Sequence, residues 1–217
     1  MITLHRFNSI ETLTLQMLEL LRQTLSTPGN LMLSGGSTPY AVYNRLAAAP
    51  CPVHPNRRLF LSDDRMEPAD SPNNNAHNLD PMLKALACED RFIRIDTSLP
   101  IEQAARQFEA CLQPMETGDL GFLGMGADGH TAGLFTPEQA RMDTGPLTLY
   151  TNRPDGMQGI SATPAFFKRI EKIVLLVTGE SKRSIINTLL SRPDSIPAGI
   201  ALGKHPCVEL WTDLESA

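Results

Sequence analysis

Three times along this chain a short apolar run ends directly in a glycine-bearing polar loop. Leu31-Met32-Leu33 runs into Ser34-Gly35-Gly36-Ser37-Thr38-Pro39, and Leu120-Gly121-Phe122-Leu123 runs into Gly124-Met125-Gly126-Ala127-Asp128-Gly129-His130-Thr131. Residues 173–177 run into Thr178-Gly179-Glu180-Ser181. Apolar runs this short, bounded by turn residues, read as strands buried on both faces. They alternate with segments of helical period, which predicts an α/β fold: a Rossmann-like parallel sheet flanked by helices. In such sheets ligands sit beyond the carboxyl ends of the strands, so these loops are where function is sought.

Ser9 is placed to cap a helix reaching about Leu25, with Ile10, Leu13, Met17, Leu20 and Leu21 on one face, and Pro28-Gly29 ends it. Thr38 and Pro39 read as the N-cap and first position of a helix ending near Ala49. Leu59-Phe60-Leu61 and Phe92-Ile93-Arg94-Ile95 read as strands, 62–75 as a polar loop and 100–115 as a helix. The stretch 136–159, rich in Pro, Gly and polar residues, reads as mostly loop. A helix is expected after Thr163-Pro164, another over 182–190, and a last strand over 207–211.

With 217 residues the chain has material for one domain with its own core, so 1–217 is expected to act as a single unit. Its 41% hydrophobic content argues against disorder. Nineteen basic against 24 acidic residues give a net charge of −5 with no basic stripe, which argues against nucleic acid as a partner. No apolar stretch is long enough to span a bilayer, and the first residues lack the zones of a signal peptide. Cys51, Cys88, Cys111 and Cys207 are scattered without metal-like spacing, as reduced thiols of a cytoplasmic protein would be.

The loop 34–39 suits a phosphate. Two glycines let backbone approach a ligand, and a helix start directs free N–H groups and a positive dipole end at it, with Ser37 and Thr38 as further donors. A plain capped turn would use the same residues. It is not a nucleotide P-loop, because no Gly-Lys-Ser/Thr follows at the required spacing. Gly124, Gly126 and Gly129 spell a dinucleotide-like pattern, but Asp128 inside the loop would repel a pyrophosphate. There the notable pair is Asp128 with His130, a side chain suited to proton transfer near neutral pH. In Ser62-Asp63-Asp64-Arg65, Arg65 is placed to face an anion or a developing oxyanion, beside an aspartate; a solvated turn with an internal ion pair is the plainer reading. Asp63, Asp64, Asp128 and His130 lack a tight ligand motif, so no metal or other cofactor is expected. Lys182, at the turn after 173–177, is a candidate second cation for a phosphate. There is no Gly-x-Ser-x-Gly elbow and no cysteine in a motif with histidine, so water activated by His130 is simpler than a covalent nucleophile.

Taken in order, SGGSTP at 34–39, LSDDR at 61–65, the asparagines at 73–75, LGMGADGHTAGLF at 123–135 and VTGESK at 177–182 resemble the 6-phosphogluconolactonase family. More distantly they resemble the glucosamine-6-phosphate isomerases and deaminases that share its fold. Arg65 stands where the deaminases carry tyrosine, and Thr131-Ala132-Gly133-Leu134-Phe135 replaces their Ile-Ala-Phe-Asn-Glu-Pro, which favours the lactonase form.

The resemblance implies hydrolysis of 6-phospho-D-glucono-1,5-lactone to 6-phospho-D-gluconate in the oxidative pentose phosphate pathway. The expected partner is a small sugar phosphate, and the expected state is a monomer or homodimer without a cofactor. The resemblance gives His130 as general base with Asp128 beside it, and Arg65 at the lactone carbonyl. It gives Gly35, Gly36, Ser37, Thr38, Asp63, Asn75, Gly129 and Lys182 as substrate contacts. One departure stands out: the lactonases usually carry arginine just before the strand beginning Ile160, where this chain has Gly159. Arg153, in the preceding loop, is the candidate to supply that cation.

Overall fold

The computed structural model describes residues 2–214; Met1 and 215–217, the ends of the expected 1–217 unit, lie outside the described residues. In chain order the elements are β1 (Ile2–Arg6), α1 (Ile10–Leu25), β2 (Gly29–Leu33), α2 (Ser37–Ala48), β3 (Arg57–Leu61), β4 (Asp63–Arg65), α3 (Asn75–Ala85), β5 (Phe92–Ile93), α4 (Ile101–Leu112) and β6 (Gly118–Gly124). They continue with α5 (Pro137–Ala140), β7 (Thr148–Asn152), β8 (Gln158–Ala162), α6 (Pro164–Phe167), β9 (Ile170–Leu176), α7 (Arg183–Ser191), α8 (Pro197–Leu202) and β10 (Val208–Thr212).

Seven strands form one parallel sheet in the order β1-β10-β9-β6-β2-β3-β5. The three-residue β4 and the hairpin β7–β8 form a separate antiparallel sheet, β4-β8-β7. Alternating side chains of the large sheet feed two cores. Leu31, Leu33, Leu59, Leu61, Val174 and Leu176 pack under α1, α2 and α3. Met32, Phe60, Ile173 and Leu175 pack with α4, α6, α7, α8 and Ile160 of the small sheet. Strands that are apolar on both faces are what a covered parallel sheet requires.

Ser9 caps α1, accepting from the Thr12 N–H at 3.1 Å, and Leu13, Met17, Leu21 and Leu25 recur every four residues on its buried face. Ile10, expected on that face, is instead half-exposed at the first turn. The second helix starts earlier than its proline suggested. Gly36, not Thr38, occupies the cap position, at a φ of 120° that disfavours any side chain. The expected strand 92–95 shortens to β5 at the sheet edge, and 182–190 becomes a 3-10 turn, Glu180–Lys182, followed by α7. What reads as loop over 136–159 instead holds α5, β7 and the start of β8: Pro137 opens α5, and Gly145-Pro146 and Pro154-Asp155-Gly156 lie in the turns between the elements. Among the described residues no helix is long and apolar enough to cross a membrane.

Candidate active site

The strand order reverses between β2 and β6. From β2 the chain moves outward through β3 and β5, and from β6 it returns the other way through β9 and β10. Loops leaving adjacent strands in opposite directions open a crevice at their carboxyl ends. A cavity of about 210 Å³ lies there. Ser34, Gly35 and Gly36 after β2 form one wall, and Gly124 at the end of β6, with Met125, Gly126, His130 and Ala132 after it, forms another. Asp63 and Arg65 of β4, Asn75 at the start of α3, and Arg153 at the tip of the hairpin complete it. A larger cavity, about 910 Å³, lies at the opposite ends of the strands, beside Gly29, Arg58 and Thr117, and gathers none of the expected residues.

The helix α2 begins over this cavity with no side-chain cap, so its first N–H groups are left for another acceptor. A side chain at Gly35 would collide with the Asn75 carboxamide and come within 2.8 Å of the Tyr40 hydroxyl oxygen, so the close approach needs glycine. Thr38 does not reach the cavity; its hydroxyl shares a 2.7 Å hydrogen bond with Thr178 and joins α2 to the end of β9.

The loop after β6 folds back on itself: the Gly126 N–H donates to the His130 carbonyl at 2.9 Å, and the Gly129 N–H to the Gly126 carbonyl at 3.0 Å. Gly129 sits at a φ of 83°, and a side chain at Gly126 would overlap the His130 ring. The turn brings His130 Nδ1 within 2.5 Å of Asp128 Oδ1. Burial alone would raise the Asp128 carboxyl, but the hydrogen bond and charge of His130 hold it below the usual carboxylate range.

Asp64 is spent on structure. Its carboxylate accepts from the N–H groups of Arg65, Asn75 and Ala76 and so ties β4 to the start of α3. Burial pushes this carboxyl up to about 6, against the three donors that pull it down. Asp63 instead lines the cavity, accepting from the Ser62 hydroxyl at 2.8 Å. Arg65 is held by one end, Nη1 donating to the Asn73 carbonyl and to Asn75 Oδ1; its buried Nε has no hydrogen-bond partner among the described residues.

Gly35, Gly36, Asp63, Arg65, Asn75, His130 and Arg153 thus share one cavity. Arg153 does reach in, its Nη1 lying 3.9 Å from Asp63 Oδ2. Ser37, Thr38, Asp128, Gly129 and Lys182 are not part of this lining. Lys182 Nζ donates to the Met125 carbonyl at 2.8 Å, bracing the histidine loop, and burial draws its ammonium below the usual lysine range while Asp128 partly offsets this. Ser34 and Ala132 line the cavity without having been singled out; Ala132, at a φ of 49°, shows nothing in its residue type that reveals its place.

The family model described as glucosamine-6-phosphate isomerases/6-phosphogluconolactonase matches residues 7–210. A curated 6-phosphogluconolactonase of Thermotoga maritima is 32% identical over 82% of this chain and 81% of its own length. One from Aggregatibacter actinomycetemcomitans is 31% identical over 89% and 88%. The crystal structure of 6-phosphogluconolactonase from Thermotoga maritima superposes with a TM-score of 0.79 at 26% identity, covering 97% of this chain and 98% of that one.

Proposed function

Because this chain belongs to the glucosamine-6-phosphate isomerase/6-phosphogluconolactonase family, we propose that it hydrolyses 6-phospho-D-glucono-1,5-lactone to 6-phospho-D-gluconate with His130 as general base. It is a carboxylic ester hydrolase of the pentose phosphate pathway. The observation that carries the catalytic part of this reading is the Asp128–His130 pair at the mouth of a cavity that also holds two guanidinium groups.

Asp128 accepts from Nδ1–H, which fixes the tautomer and leaves Nε2 as the basic nitrogen. Nε2 takes a proton from water as that water attacks C1 of the lactone. Negative charge then grows on the carbonyl oxygen, where the Arg65 guanidinium, part of the cavity lining, stabilises it. His130 returns the proton to the ring oxygen as the ester opens, so the base is regenerated and the products balance. The phosphate is anchored by Gly35, Gly36 and the uncapped N–H groups at the start of α2, with Lys182 behind it, while Arg153, Asp63 and Asn75 complete the substrate contacts. Binding energy at the phosphate fixes the reacting carbon and so serves catalysis at a distance.

The test is the hydrolysis of freshly generated 6-phosphogluconolactone, followed by NMR above its spontaneous rate. Saturable acceleration supports the reading. Release of ammonia from glucosamine 6-phosphate, with no effect on the lactone, would replace it with a deaminase.

A further inference from the structure

Phe135 ends the segment that carries His130, yet its ring does not line the cavity. Two groups that do line it rest on that ring. The His130 imidazole lies 4.5 Å from it, centroid to centroid, tilted by 38°, and Arg153 Cζ lies 4.9 Å from the same centroid. One of these groups comes from the loop after β6 and the other from the tip of the β7–β8 hairpin, so Phe135 is where the two segments meet.

The surroundings fix this meeting point. The Phe135 N–H donates to Gln139 Oε1 at 2.8 Å, and Nε2 of the same amide donates to Thr151 Oγ1 at 2.7 Å on β7, two residues before Arg153. Gln139 therefore clips the backbone that carries the ring to the strand that carries the guanidinium. Across the hairpin, the Arg153 stem runs beside Gly159, where a Cβ would meet Arg153 Cδ in ordinary contact at 3.5 Å and press on the Asp64 carbonyl oxygen at 3.0 Å. The Arg153 side chain is 8% exposed, and its charged partners are Asp155, 3.2 Å from Nε, and Asp63.

We propose that Phe135 is a positioning residue, whose ring sets the spacing between the His130 imidazole and the Arg153 guanidinium so that an anionic group on the arginine registers the reacting carbon against the base. This rests on the lactonase reading above. An aromatic face is needed because it attracts a cation and offers a flat surface to the imidazole; an aliphatic side chain of similar size does neither.

The experiment measures lactone hydrolysis and calorimetric binding of 6-phosphogluconate for wild type, Phe135→Leu, Phe135→Tyr, Arg153→Ala and the Phe135→Leu/Arg153→Ala double variant. Phe135→Leu should raise both KM and the Kd for 6-phosphogluconate roughly 5- to 10-fold, the size expected for losing a partly buried cation–aromatic contact. The double variant should bind no more weakly than Arg153→Ala alone, because the ring acts on binding through the arginine. Phe135→Leu should still lower kcat in the Arg153→Ala background, since His130 rests on the same ring. Phe135→Tyr, which keeps the aromatic face, should restore wild-type behaviour. Binding losses that multiply in the double variant, or a lowered Tm with KM, Kd and kcat unchanged, would overturn the role of Phe135 while wild type remains active. A wild type that neither hydrolyses the lactone nor binds 6-phosphogluconate would overturn the lactonase reading itself, and this role with it.

Discussion

Asp128 Oδ1 lies 2.5 Å from His130 Nδ1 and also accepts the His130 backbone N–H at 3.2 Å, so one carboxylate oxygen orients both the ring and the chain of its neighbour. Asp128→Asn keeps the size of the side chain but loses the carboxylate that holds the ring. The variant should lose kcat while 6-phosphogluconate binds nearly as before, because the imidazole is no longer fixed with its far nitrogen toward the reacting water. Unchanged kcat would contradict the orienting role of Asp128.

Arg65 is anchored through Nη1 alone. With its guanidinium meeting the developing oxyanion, Arg65→Ala should lower kcat by about 10²–10³-fold with a smaller change in KM, as loss of one oxyanion donor does. A rise in KM with kcat preserved would assign Arg65 to ground-state binding instead.

Lys182 stands one hydrogen bond behind the cavity wall, on the Met125 carbonyl. As a long-range cation for the phosphate it should act in the ground and transition states alike, so Lys182→Met should raise KM and leave kcat nearly unchanged. A fall in kcat with KM unaltered would mean that bracing the histidine loop is its whole contribution.

Much of this arrangement is legible in the sequence, and the parts that are not have physical causes. The strands before 34–39, 124–131 and 178–181 are apolar on both faces and bounded by glycine, a signal few other folds produce. The hairpin β7–β8 is hidden because Tyr150 points to solvent and Pro, Gly and polar residues surround it; its pairing with β4 is long-range and leaves no local pattern. The third helix is masked by its asparagine-rich start and by Pro81 within it. At the site, residue type indicated His130, Arg65 and the glycine loop, whereas only the fold turns Thr38 toward Thr178 and Lys182 toward Met125.

Asp64 links stability to pH. Its carboxyl rises from 3.8 to about 6 on burial, so the folded protein holds this proton more tightly than the unfolded chain does. The contribution is fully present below about pH 4 and is lost as the pH rises through about 6. Relative to Asp64→Asn, wild type should therefore gain on the order of 3 kcal/mol in urea unfolding on going from pH 7 to pH 4. A difference that is flat with pH, or that shrinks on acidification, would show that the three N–H donors outweigh burial.

The role of His130 is tested most directly by the NMR rate of 6-phosphogluconolactone opening with wild type and with His130→Ala, each measured against the spontaneous rate. Wild type should accelerate the opening, and the variant should lose about 10²–10⁴-fold in kcat, the range expected when a general base is removed, with 6-phosphogluconate binding largely retained. Equal acceleration by both proteins would contradict His130 as the base.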